Sequence, residues 1–398
     1  MAKNLDRRSF LTSTITGVGA LSLGTSMASI ASSSPFLELG SLGSIGELLP
    51  PNELGLRLPA GFSARIVARS FQPVTLAHGE ESSYEWHQYP DGGACFIADD
   101  GGWIYTSNSE VGNRGGGAGA LRFNAQGDLI DAYKILSGTT DNCAGGATPW
   151  STWLSCEETA YGQVFECDIY GKSGAVLCPG LGFFKHEAVA VDSSWRRVYL
   201  TEDEKDGCLY RYTALEMIED RFDFNSGFLE VASVDDDGYV SWIPLPNPTP
   251  KSYQSPTRLQ VPRASHFNGG EGIWYYDGRI IFSTKGDNRI WEYDISKNFL
   301  KVIYDAQKVS KPVLTGVDNI CVSRDGNVLV AEDGGDLQIV VLGPTGRAVP
   351  LVQIVGQDAS EMAGPAISPR GDKLYFSSQR GNGNGITYEI TGRFLKTV

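Results

Sequence analysis

The sequence predicts an all-β protein, a six-bladed β-propeller with a central metal-binding channel. Two observations set the blade count. A strand–turn–strand unit recurs at nearly constant spacing: Glu110 to Glu157 is 47 residues, Glu157 to Glu202 is 45, and Lys285 to Glu332 and Glu332 to Gln379 are each 47. Each unit is also long enough for a four-stranded blade. The third observation is composition. The chain holds 48 Gly with 17 Tyr, 17 Phe and 8 Trp, the mixture of many short strands joined by tight turns. No long helical period separates the strands, which disfavours an α/β fold.

Taken in order, residues 1–31 read as a twin-arginine signal peptide. Asp6-Arg7-Arg8-Ser9-Phe10-Leu11 follows the positive Lys3, and a Gly/Ala/Ser-rich apolar run extends from Ile15 to Ile30. That run is too rich in small residues for a permanent span. Residues 32–54, rich in Ser, Gly, Leu and Pro, form a linker, and 55–398 form the propeller. The segment Ser63–Ala68 is expected to close the last blade and so remove a free sheet edge. The units then run from Ala94 to Glu110, Cys143 to Glu158, His186 to Asp203, Glu271 to Lys285, Asp318 to Asp333 and Gly364 to Arg380. Asp-Gly pairs at Asp100-Gly101, Asp277-Gly278 and Asp325-Gly326 mark hairpin turns. One interval, Glu202 to Lys285, is 83 residues. Its Leu229–Leu245 hairpin and Pro-rich 246–262 tail read as the outer half of a blade plus an insertion, with a seventh blade as the alternative.

Residues at one phase of such repeats meet at the axis, however far apart in sequence. One phase carries Cys143, Glu187, Glu271 and Asp318. The other carries Asn108 or Glu110, Glu157 or Glu158, Glu202, Lys285, Glu332 and Gln379-Arg380. So many carboxylates cannot all ionise together unless cations neutralise them. Oxygen-rich clusters suit calcium, and a thiolate among carboxylates suits iron or another transition metal. Any single Glu here is equally explained as a turn cap; the recurrence is not.

The net charge of −14 argues against nucleic acid or an anionic membrane as partner. Seven cysteines with no CxxC pair are neither a disulfide framework nor a structural zinc site. The four histidines show no zinc spacing; His87 and His186 lie beside axial positions, most simply as hydrogen-bonded structural groups. The Gly-rich 112–119 stretch around Arg114 lacks the Gly-Lys-Ser/Thr end of a P-loop and is expected as a flexible loop over the channel mouth.

The stretch Asn142-Cys143-Ala144-Gly145-Gly146, then Thr148-Pro149-Trp150 and Thr152 through Glu158, resembles the PhoX-type alkaline phosphatases. So do Lys185-His186-Glu187-Ala188, Glu271-Gly272-Ile273, the Trp242-Ile243-Pro244-Leu245 hairpin and the twin-arginine leader. The resemblance runs from about residue 85 to the end. It implies an exported phosphomonoesterase, periplasmic or secreted, with iron and calcium in the channel. It makes Cys143 an iron ligand and Glu157, Glu187, Glu271 and Asp318 further metal ligands, with Glu202 and Glu332 as ligands or close supports. Arg380 and Lys285 sit where other blades carry acids and are expected to contact the phosphate. The expected partners are a small phosphate ester and the twin-arginine export machinery, and a monomer is expected. Two other functions fit the same scaffold: a calcium-dependent lactonase or phosphodiesterase, and a non-catalytic propeller in which metal only stabilises.

Overall fold

The computed structural model describes residues 45–343 and 346–394. The leader and most of the linker lie outside the described residues. Six antiparallel sheets supply the blades. From the axis outwards, blade 1 is Pro90–Ile97, Trp103–Ser109, Gly116–Phe123 and Leu129–Thr139. Blade 2 is Asn142–Ala147, Thr152–Glu157, Val164–Asp168 and Val176–Leu177. Blade 3 has five strands, His186–Asp192, Arg197–Glu202, Gly207–Ala214, Gly227–Val234 and Val240–Pro244. Blade 4 is Gly270–Tyr276, Arg279–Thr284, Arg289–Asp294 and Phe299–Asp305.

The long interval is thus one blade with an added strand, followed by a crossing segment. That segment returns through a 3-10 turn at Thr257–Leu259. No seventh blade occurs among the described residues.

Blades 5 and 6 close the ring. Blade 5 runs Val317–Val322, Val328–Glu332, Gln338–Leu342 and Ala348–Ile354, and Leu56–Arg57 pairs with its outer edge. Blade 6 runs Met362–Ile367, Lys373–Ser378 and Ile386–Thr391, with Ser63–Arg69 as its outermost strand. Arg65 locks that closing strand with two hydrogen bonds to Glu389, Nε–Oε1 3.0 Å and Nη2–Oε2 2.9 Å. Glu389 is otherwise buried, and Tyr375 and Lys373 take up its remaining acceptor capacity. The unit length in the sequence is set by this architecture, because each blade must repeat the same radial stack.

Alternating apolar residues pack blade against blade. Leu154 and Val164 of blade 2 meet Val189, Val198 and Tyr210 of blade 3 in one cluster. Tyr105 of blade 1 stacks on Tyr375 of blade 6 with ring centroids 5.1 Å apart. Each such fully buried side chain contributes about 1.5–3 kcal/mol. The turn Asp277-Gly278 has φ of 46° and 75°, the two left-handed positions that a two-residue hairpin needs.

The Gly-rich stretch is not a lid. Only Gly112-Asn113-Arg114-Gly115 is a turn, closed by Gly115 N–H donating to the Gly112 carbonyl at 3.0 Å. Gly116–Phe123 is a strand of blade 1. Its small residues make room for a neighbour: a Cβ on Gly119 would lie 2.8 Å from both His87 Nδ1 and Tyr84 Oη.

Among the described residues, no helix is long and apolar enough to cross a membrane.

Candidate metal centre at the propeller axis

Every inner strand carries one extra residue near its start. Between Pro90 and Gly93 the strand advances three residues while its partner advances two, from Ser109 to Ser107. The same surplus follows Asn142, His186, Gly270, Val317 and Ala363. Such bulges re-aim a side chain out of the strand's alternation. In blades 1 to 5 the residues so placed are Asp91, Cys143, Glu187, Glu271 and Asp318. Four of them are followed by a small residue, Gly92, Ala144, Ala188 or Gly272, where backbones approach closely, and Asp318 by Asn319, whose Oδ1 accepts from Gly364 N at 2.7 Å. A Cβ on Gly272 would sit 2.4 Å from Ile320 N, and one on Gly92 2.5 Å from Ala144 Cα.

The bulges are tied to their neighbours. Asn108 of blade 1 donates to the carbonyls of Cys143 (3.1 Å) and Ala144 (2.6 Å) of blade 2. Its own oxygen accepts from Trp153 Nε1 and Ser155 Oγ, both at 2.8 Å. Thr201 Oγ1 donates to Glu271 O at 2.6 Å, and Ser283 Oγ to Asp318 O at 2.6 Å. A side chain from one blade thus fixes the axial residue of the next, the kind of support that orients metal ligands.

Among the described residues, four sets of acidic and thiol groups have ligand atoms within 4.8 Å of one another: Glu110–Cys143–Glu158, Asp91–Glu110–Glu361, Asp318–Asp333–Glu361 and Glu187–Glu271–Asp318. Glu110, Glu361 and Asp318 each belong to two sets, so the four join into one chain around the axis. The structure therefore brings together four of the seven sequence-based ligand candidates: Cys143, Glu187, Glu271 and Asp318. Cys143 Sγ lies 3.4 Å from Glu187 Oε1. Glu187 is 0 % exposed, and its Oε2 meets no hydrogen-bond donor among the described residues. Burial, then neighbouring carboxylates, push Asp91, Glu187 and Glu271 well above the usual carboxylate range. The same two causes raise Glu361 to about 10. An orphaned buried oxygen among carboxylates that resist ionisation fits bound cations, which supply the missing partner and hold the acids ionised.

Glu157, Glu202 and Glu332 are not brought into this chain of groups. Each is the residue paired opposite the first residue of its inner strand, and alternation sends its side chain the other way. Their carboxylates clamp loops instead. Glu157 accepts from the N–H of Thr140 (2.9 Å) and Gln163 (3.2 Å), and Glu332 from those of Thr315 (2.8 Å) and Gln338 (3.0 Å). Glu202 accepts from Cys208 N, Tyr210 Oη and Arg258. Glu332→Gln should therefore lower stability by about 2 kcal/mol, the worth of charge-assisted hydrogen bonds, and leave metal content unchanged. Paired thermal melts and elemental analysis check this; loss of metal with an unchanged melt would place Glu332 among the ligands.

The ring members one residue further on, Glu110, Glu158 and Asp333, together with Asp91 and Glu361, are not among the seven sequence-based ligand candidates. Asp91 is hidden in the sequence because the first unit reads as starting at Ala94, whereas the strand begins at Pro90. The pattern of an acid or Cys followed by a small residue, repeated in four blades, is the signal that finds it.

Three cations sit among the acids. Lys185 Nζ lies 2.8 Å from both Glu158 Oε1 and Asp203 Oδ2. Lys285 Nζ contacts Glu271 (3.0 Å), Asp333 (3.2 Å) and Asp318 (3.6 Å). Arg380 pairs through Nη1 with Glu361 at 2.7 Å, while Nη2 is 3.8 Å from Glu110; its side chain is 42 % exposed. The histidines face elsewhere. His186 Nε2 meets Gly182 O at 3.0 Å under the Phe184 ring, and His87 lies between Tyr84 and Ser107. Burial lowers both imidazoles to about 3. Below the ring the axis narrows to a Gly-lined space of about 20 Å³ among Gly92, Gly145, Gly272 and Gly364, room for about one water.

Fold and ring together define a propeller whose axis gathers acidic and thiol groups that could hold cations. The family model "Alkaline phosphatase PhoX" matches residues 81–168 and 159–290, together just over half of the chain. The chain belongs to the PhoX alkaline phosphatase family and is a phosphatase. Its fold is similar to that of Pseudomonas fluorescens PhoX in complex with vanadate, a transition state analogue, with a TM-score of 0.68 and 14% identity over 87% of this chain and 98% of that one. A gluconolactonase from Xanthomonas campestris, XC5397, is more distant, with a TM-score of 0.46 and 12% identity over 87% of this chain and 98% of that one. No curated protein sequence matches the chain.

Proposed function

We propose that this phosphatase is exported through the twin-arginine route and hydrolyses small phosphomonoesters in the periplasm or outside the cell, using iron and calcium held at the axis. The observation that carries the reading is the continuous chain of four ligand sets, of which one alone contains a thiol. Glu110, Cys143 and Glu158 form the set suited to iron, since thiolate favours a transition metal. The all-carboxylate sets suit calcium. When bound, these cations neutralise the ester's charge and make water a better nucleophile.

The chain's own residues do the positioning. Arg380, 42 % exposed and anchored on Glu361, is placed to grip the phosphoryl oxygens. Lys185 holds Glu158 and Asp203 apart from substrate by engaging both. The glycine waist leaves little room for water to approach from the far side of the axis. In-line transfer needs little beyond such positioning and charge stabilisation. The vanadate in the Pseudomonas fluorescens relative agrees with phosphoryl transfer at a propeller of this shape. The thiol favours this reading over a calcium-only lactonase.

The test is hydrolysis of a chromogenic phosphomonoester by the metal-replete protein. Turnover that is lost on chelation and returns with iron plus calcium is expected. Full turnover in metal-free protein would remove the ring from the chemistry.

A further inference from the structure

We propose that Lys285 is a built-in counter-ion that takes the place of one further divalent cation in the ring. This rests on the reading of the ring as a metal centre, and it departs from the sequence-based expectation that Lys285 contacts phosphate.

Five other residues share the position of Lys285 in their blades. They are Glu110, Glu158, Asp203, Asp333 and Ser378, so blade 4 alone puts a cation there. The ammonium meets three carboxylates: Glu271 at 3.0 Å, Asp333 at 3.2 Å and Asp318 at 3.6 Å. One N–H donates to Asp333 Oδ2, and Glu271 and Asp318 flank the ammonium at ion-pair distance. A phosphate oxygen would have to reach it against three carboxylates. Arg380 differs: it has one close carboxylate partner, Glu361, with Glu110 further off at 3.8 Å, and its side chain is 42 % exposed.

The three partners belong to two neighbouring ligand sets, Glu187–Glu271–Asp318 and Asp318–Asp333–Glu361. Lys285 therefore stands at the corner the two sets share. A divalent ion at that corner would face a fixed positive charge at contact distance. A second observation shows that the ring still expects a cation nearby: Glu187 Oε2 is fully buried and has no donor among the described residues, and Lys285 contacts no atom of Glu187 at ion-pair distance. The geometry thus separates a place that calls for an ion, beside Glu187, from a place already filled by the ammonium, beside Asp333.

Removing the charge should convert that filled corner into an ion site. Calcium bound per chain, measured by elemental analysis after equilibrium dialysis against calcium, is the readout. Lys285→Met is expected to bind one calcium more than the wild type and to gain more in melting temperature on calcium addition. Lys285→Arg, which keeps the charge, is expected to bind the wild-type number. If Lys285→Met needs calcium in order to fold, that supports the proposal, and Lys285→Gln provides the count. An unchanged calcium number in the Met and Gln variants, with a raised KM for phosphomonoester, would overturn it in favour of a phosphate contact. A wild type that binds no metal would overturn the ring reading as well, so the two failures are told apart by the wild-type count.

Discussion

Replacing Cys143 by serine is expected to cut phosphomonoester hydrolysis by about a hundredfold or more and to remove iron while leaving the fold intact. The thiol is buried at the axis, 3.4 Å from Glu187 Oε1, and its ligand set holds only Glu110 and Glu158 besides. A serine hydroxyl fills nearly the same space but is a poor ligand at neutral pH, because it does not ionise as a thiol does at a metal. The backbone support is untouched, since Asn108 grips the carbonyls of residues 143 and 144 and not the side chain. Metal analysis, kcat and a thermal melt on the same preparation check the prediction. Wild-type turnover with iron lost would show that the iron does not take part; wild-type iron content would show that Cys143 is not a ligand.

Arg380→Ala is expected to lower kcat/KM by about a hundredfold to a thousandfold, the usual consequence of losing a preorganised charge stabiliser at the reacting group. Metal content should stay the same, because Arg380 is bound to the ring through Glu361 and is not itself a ligand. Arg380→Lys should recover little. A lysine offers a point charge where the guanidinium offers a planar fork that can hold Glu361 and a phosphoryl oxygen together. If Arg380 serves only to neutralise Glu361 and Glu110, the alanine variant would keep its kcat/KM and bind an additional cation.

The fold is legible because a propeller writes its period into the chain. The Asp-Gly turns, the apolar alternation and the 45- to 47-residue spacing all follow from repeating one radial stack, and the Ser63–Arg69 closure follows from the need to bury the last edge. The long Glu202–Lys285 interval is legible as a blade with extra hairpin because Leu229–Leu245 alternates like a sheet and the Pro-rich tail does not. The site is legible only in part, for a reason of phase. Spacing locates a position to within a residue or so, yet side chains in a strand change face with every residue. That is why spacing finds Glu187, Glu271 and Asp318 but leaves Glu157 and Glu158 as alternatives. The bulge after the first residue of the inner strand in blades 1 to 5 adds a further shift that alternation alone does not reveal.

Two residues need more than phase. Asp91 lies in Tyr89-Pro90-Asp91-Gly92-Gly93, a run that reads as a turn because Pro and Gly dominate it. In the structure the glycines serve the opposite purpose, letting inner strands approach until a Cβ would collide. Glu361 enters the ring three residues ahead of the bulge in blade 6, whose surplus residues are Gly364-Pro365, so no repeat of the other five blades points to it.

The most direct measurement is the metal content of the protein purified without added metal or chelator. The arrangement of four joined ligand sets predicts iron together with calcium, more than one ion per chain, with iron lost selectively in Cys143→Ser. A preparation that contains neither element and still hydrolyses phosphomonoesters at full rate would contradict it.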